Sequence, residues 1–161
     1  MMHLVVMGVA GSGKSTVAEL AAKKLGWEYV DADAYHPPEN VAKMRRGEAL
    51  NDADRAGWLT ALADLLAQRA AAGRPIVLAC SALKQTYRDR LAAGAPFRLA
   101  YLKGSRELLA SRLAGRQNHF MNPGLLDSQL ATLEEPQNAL TLDVELPPEA
   151  LAEQTAVWAR G

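Results

Sequence analysis

Apolar residues fall into two rhythms along this chain, and the rhythms alternate. Leu4, Val5, Val6 and Met7 form a short unbroken apolar run stopped by Gly8, as expected of a strand buried on both faces. Over residues 15–25 the apolar positions Val17, Ala18, Leu20, Ala21 and Leu25 take helical spacing, and Gly26 stands where a C-cap belongs. A second strand is expected at 27–30 and a short helix at 40–46, ended by Gly47. Asn51-Asp52 offers an N-cap to a long amphipathic helix that ends before Gly73, with Trp58, Leu59, Leu62, Leu65 and Leu66 on one face. Pro75 introduces a third buried strand at 76–80, followed by a helix at 84–93, a strand at 97–102 and a helix at 107–116. A helix at 125–133, a fifth strand at 142–146 and a closing helix at 149–160 complete the pattern. Strands separated by helices predict one α/β domain, residues 1–161, with a parallel sheet between two helical layers.

Composition narrows the class. The 161 residues suit a single core, and eighteen basic residues balance eighteen acidic ones, so charge points to neither nucleic acid nor a membrane surface. The single cysteine, Cys80, cannot form an internal disulfide and reads as a small buried hydrophobe, not a nucleophile. No apolar run approaches the roughly 20 residues that span a bilayer. Met1-Met2-His3-Leu4 shows no basic leader, so a cytoplasmic address is expected.

Chemistry enters at Gly8-Val9-Ala10-Gly11-Ser12-Gly13-Lys14-Ser15, which matches G-x-x-x-x-G-K-[ST] between a strand and a helix. Glycines let backbone amides approach phosphate oxygens, and the helix beginning near Lys14 adds the positive end of its dipole. Lys14 has the reach for the β- and γ-phosphates, the Ser15 hydroxyl suits Mg²⁺, and Thr16 is placed for the α-phosphate. An ATP-binding enzyme is the expectation.

Asp31-Ala32-Asp33 follows the second strand, at the sheet edge where ligands sit in open α/β folds. In an extended backbone the two carboxylates point the same way. One would hold Mg²⁺ through water and the other would take a proton from an attacking hydroxyl. His36 is either a substrate donor or a loop residue ordered by Pro37. The third strand ends at Cys80 without an acidic residue, which leaves Asp31 and Ser15 as the metal's protein ligands.

These stretches resemble the gluconate kinases. The likeness runs through the phosphate loop, Asp31-Ala32-Asp33 with His36-Pro37, Leu50-Asn51-Asp52-Ala53-Asp54-Arg55 with Trp58-Leu59, and Cys80-Ser81-Ala82-Leu83-Lys84 with Tyr87-Arg88. It continues at Tyr101-Leu102-Lys103-Gly104, at Arg112, Arg116, His119 and Phe120, and at Gln129, Leu133-Glu134 and Pro136. The resemblance implies transfer of the γ-phosphoryl group of ATP to the terminal hydroxyl of D-gluconate, giving 6-phosphogluconate. It further implies a shikimate-kinase-like P-loop fold with a five-stranded parallel sheet and a small helical lid, and in many members a dimer, for which the long helix offers an exposed stripe.

Under that resemblance Asp33 orients the acceptor hydroxyl and accepts its proton, and Asp31 is the outer-sphere magnesium partner. Arg55 is placed to clamp the substrate carboxylate, while Lys84 and Arg88 stand near either that carboxylate or the transferring phosphoryl group. The lid falls at about 114–124, where Arg116 would stabilise the transferring phosphoryl group and Arg112 would bind nucleotide. The loop after Glu134-Glu135-Pro136 is the expected base contact. Shikimate is the runner-up acceptor, but its kinases carry a glycine-rich stretch where this chain has Cys80-Ser81-Ala82-Leu83-Lys84. A nucleotide switch is the other class, and the guanine-reading Asn-Lys-x-Asp pattern is absent.

Overall fold

A computed structural model describes residues 2–115 and 124–161. Five parallel strands lie in the order β2-β3-β1-β4-β5: β1 His3–Met7, β2 Glu28–Asp31, β3 Ile76–Ala79, β4 Phe97–Lys103 and β5 Leu140–Asp143. The register places Val5 opposite both Leu78 and Leu99. β1 is therefore central, with its carboxyl end flanked by strands on both sides.

The two-residue period of β1 divides the core. Leu4 and Val6 pack with α1 (Lys14–Leu25) and α7 (Pro148–Arg160) on one face. Val5 and Met7 pack on the other with α3 (Asp52–Ala71) and α4 (Gln85–Ala92). α5 (Arg106–Ala114) and α6 (Gly124–Thr132) add Leu109, Leu113 and Leu126 to that second cluster. Buried His3 fastens the layers: its Nδ1 accepts from the Ile76 amide at 3.0 Å and its Nε2 donates to the Leu66 carbonyl at 2.9 Å. Among the described residues no helix is long and apolar enough to cross a membrane.

Two expectations need correction. β5 ends at Asp143, not at residue 146, because Leu140, Leu142, Val144 and Leu146 continue one alternation past the last residue that β4 can pair. After β2 the backbone is not extended: Ala32–Tyr35 form a 3₁₀ turn, capped by Asp31, whose Oδ1 accepts from the Asp33 amide at 2.9 Å. Asp31 and Asp33 are thus related by a turn, as Asx side chains favour. α2 (Pro38–Arg45) follows, with proline in its first turn.

Candidate active site

The phosphate loop leaves the carboxyl end of central β1 and enters α1. Gly11 and Gly13 take φ of 84° and 85°, a region that side chains with a Cβ disfavour. A Cβ on Gly11 would also stand 2.8 Å from the Leu109 carbonyl oxygen. The Ser12 amide donates to the Val9 carbonyl at 3.2 Å, and Val17 is the first amide to bond back, to Gly13. The amides of Lys14, Ser15 and Thr16 lie in the first turn, where a helix supplies no internal acceptor. They make an anion site together with the helix dipole. Lys14 and Ser15 are half-buried and Thr16 is exposed.

Beside this loop lies a cavity of about 200 Å³, lined by Gly11–Gly13, Thr16, Arg112, Val144, Leu146 and Pro148. Arg112 is held there by its Nη2 bond to the Val144 carbonyl at 2.7 Å. The apolar continuation past β5 thus walls the cavity beside the phosphate loop. Gln137 and Asn138, in the loop after Glu134-Glu135-Pro136 expected to contact the base, instead line a separate cleft of about 570 Å³ with Arg88 and Phe97. That cleft touches no residue of the phosphate loop.

On the acceptor side, Asp31 and Asp33 stand at the end of β2, next to β3. Burial pushes the Cys80 thiol up to about 12, and the charges of Asp33, Lys14 and Asp31 all reach it. Asp31 lies opposite Ala79 of β3, and Ala79 lies opposite Val6 of β1 just before the phosphate loop; Cys80, which follows Ala79, stays protonated. The Tyr29 hydroxyl is held above its usual range, chiefly by burial, with nearby Ser15 opposing the shift.

His36 stacks on Trp58 with ring centres 4.1 Å apart, and the Trp58 indole N–H donates to the Ala32 carbonyl at 2.7 Å. The long helix thus pins the turn that carries Asp33. His36 Nδ1 accepts from Asn40 Nδ2 at 3.3 Å, leaving Nε2 as the protonated nitrogen, 4.0 Å from Asp33 Oδ1. Burial, reinforced by the positive charge of Arg55 and opposed by Asp31, pushes the imidazole down to about 4. His36 is therefore a neutral donor beside Asp33 at ordinary pH.

Arg55 is buried near the start of α3. Its Nη1 donates to the Leu50 carbonyl and the Tyr87 hydroxyl, both at 3.0 Å, and its guanidinium lies 5.3 Å from the Tyr87 ring centre. Lys84 Nζ stands 5.6 Å from the same ring and 3.2 Å from Asp52 Oδ1. Asp52 also accepts from the Tyr87 hydroxyl. Two cations, a phenol and one exposed carboxylate thus form a cluster suited to a polyhydroxy acid.

Arg88 is not in that cluster. It is 4% exposed, and its guanidinium donates to the Ala82 carbonyl at 2.6 Å, the Glu134 carbonyl at 2.8 Å and Gln85 Oε1 at 3.2 Å. It braces the turn at Ala82, whose φ is 46°. Arg116, His119 and Phe120 lie outside the described residues. Sequence reasoning gave no site role to Asp52, read as part of a helix cap, to Trp58, read as part of an apolar helix face, or to Tyr87 and Gln129. Only membership of the resembling blocks pointed to them, because their partners lie far away in the chain.

A family model described as an AAA domain matches residues 4–136. The chain is 51% identical over 134 residues to the gluconokinase of Gluconobacter oxydans, covering 83% of this chain and 75% of that protein. It is 49% identical over 151 residues to a probable gluconokinase of Mus musculus, covering 83% and 82%. To the thermoresistant gluconokinase of Escherichia coli it is 41% identical over 156 residues, covering 94% and 89%. Among solved structures, a Janibacter sugar kinase aligns with TM-score 0.94 at 46% identity, covering 98% and 94% of the two chains. A Sinorhizobium meliloti gluconokinase aligns with TM-score 0.88 at 41% identity, covering 99% and 91%. The fold, the phosphate loop and this similarity agree: the chain belongs to the gluconokinase family of P-loop kinases.

Proposed function

We propose that the chain transfers the γ-phosphoryl group of ATP to the 6-hydroxyl of D-gluconate, giving 6-phosphogluconate and ADP, as a cytoplasmic enzyme of small molecules. The observation that carries this reading is the strand register that sets Asp31, at the end of β2, opposite Ala79 of β3, which lies opposite Val6 just before the phosphate loop, together with an Arg55–Tyr87–Lys84 cluster with the chemistry of a carboxylate clamp.

The chain's own groups divide the work. The loop amides and Lys14 hold the β- and γ-phosphates and stabilise the charge that grows on the departing ADP. Arg112 and the Val144–Pro148 wall hold the base side. Asp33 accepts the proton of the 6-hydroxyl, with neutral His36 donating to the sugar acid beside it. Arg55 and Lys84 fix the carboxylate end, so the opposite end of the chain meets the phosphoryl group. Arg116 is assigned to the transferring phosphoryl group on sequence alone.

Mg²⁺ fits the donors present: a serine hydroxyl and a carboxylate are hard oxygen ligands, and no cluster of three His, Cys, Asp or Glu occurs among the described residues. That set suits a metal carried largely by phosphates and water. Ser15 and Asp31 would hold it, and when bound it would neutralise charge between the β- and γ-phosphates. Family membership carries the expectation of a dimer through the exposed stripe of α3, which sedimentation would test. Product analysis tests the reaction: phosphorus NMR of the product should show a primary phosphate ester, whereas an ester at a secondary hydroxyl would reverse the assigned orientation of gluconate.

A further inference from the structure

One buried side chain acts on the phosphate loop from far along the chain. Gln129 is 7% exposed, and its Oε1 accepts from the Ala10 amide at 2.7 Å, across 119 residues of sequence. Ala10 is itself 2% exposed, so water is a poor substitute for this partner. We infer that Gln129 is a positioning residue for nucleotide binding: by taking the Ala10 amide it sets the loop so that its later amides face the phosphates.

A phosphate loop must present several N–H groups to one point while every other polar group in the turn is satisfied elsewhere. Val9 and Ala10 meet this second demand differently. The Val9 carbonyl is taken within the loop by the Ser12 amide at 3.2 Å. The Ala10 amide has its acceptor outside the loop, on α6. That helix is seated firmly: Leu126 shares the core cluster with Val9, Ala10 and Leu109. On its other side Leu125 packs with Met44 and Leu50. The carbonyl of Leu50 holds Arg55. α6 is thus a fixed support between the loop and the wall of the acceptor cluster, and Gln129 is its polar contact with the loop backbone. Without that acceptor the Ala10 amide would turn to find another, rotating the Val9–Ala10 peptide, whose carbonyl is the acceptor of the Ser12 amide, and so misaligning the amides that follow.

The inference rests on the reading of Gly8–Ser15 as the nucleotide site, and titrating MgADP without any sugar acid tests the two separately. Gln129→Met keeps the length and bulk but has no strong acceptor. It should bind MgADP about tenfold more weakly than wild type, the scale of one lost buried hydrogen bond. A purely structural role would lower the melting temperature and the active fraction while leaving MgADP affinity unchanged, and that result overturns the inference. Should Gln129→Met not fold, Gln129→Asn carries the test: its amide is one methylene short of Ala10, and the same tenfold loss is expected. Unchanged affinity, or failure of both variants to fold, would assign Gln129 to stability alone and refute the inference. If wild type itself does not bind MgADP, the nucleotide reading of the loop falls first.

Discussion

Replacing Arg88 separates two roles that its sequence position leaves open. In the structure Arg88 faces inward and donates to two backbone carbonyls and Gln85 Oε1. Arg88→Met orphans both carbonyls, at a cost of about 1–3 kcal/mol each. Part of that is recovered, because burial already disfavours the charged guanidinium and holds it below its usual range. The net loss should be about 2–4 kcal/mol, which lowers the melting temperature of a domain this size by roughly 5–15 °C. Urea unfolding gives the stability, and steady-state kinetics on the folded fraction give KM for gluconate. The brace predicts a clear loss of stability with KM within about twofold. A melting temperature within about 2 °C of wild type, with KM raised tenfold, would return Arg88 to the substrate pocket and refute the reasoning.

Asp33→Asn should lower kcat by about 10²–10⁴-fold with MgADP affinity nearly unchanged, since it removes the proton acceptor and no loop amide. Equal losses in both would move Asp33 to the nucleotide or metal. His36 makes stability depend on pH: its folded value, about 4, lies below its ordinary 6.5. The unfolded chain therefore binds more protons between the two, and the contribution of neutral His36 is full above 6.5 and lost as pH falls toward 4. Melting curves across that window should slope less for His36→Gln than for wild type; equal slopes would contradict the burial of a neutral ring. Asn51→Ala removes one half of the capping box that Asn51 and Asp54 form at the start of α3. It should lower stability by about 1–2 kcal/mol in urea titrations.

Elements made of local rhythm were readable before the structure. Leu4–Met7 and Ile76–Ala79 are unbroken apolar runs because parallel strands are covered on both faces, and Gly26 marks the end of α1 by its left-handed backbone, φ 69°. The end of β5 was not readable, because Val144 and Leu146 continue its alternation while serving a cavity wall. The turn at Asp33 was misread as extended because its cause is a side-chain cap, which apolar spacing does not report. The phosphate loop was legible because its chemistry is local. Gln129 and Tyr87 were not, since each is defined by a partner 32 to 119 residues away, and Arg88 was not, since its inward turn depends on the Glu134 carbonyl as well as on nearby Ala82 and Gln85. No spacing rule separates a buried arginine from one in a substrate pocket.

The central claim is tested most directly by ADP release with MgATP against D-gluconate, other sugar acids, shikimate and nucleoside monophosphates. The account predicts strong turnover with D-gluconate, abolished in Lys14→Ala, and little above the acceptor-free rate with shikimate or the nucleotides. Turnover centred on another acceptor would overturn the substrate assignment, and acceptor-independent hydrolysis at the same rate would contradict a kinase altogether.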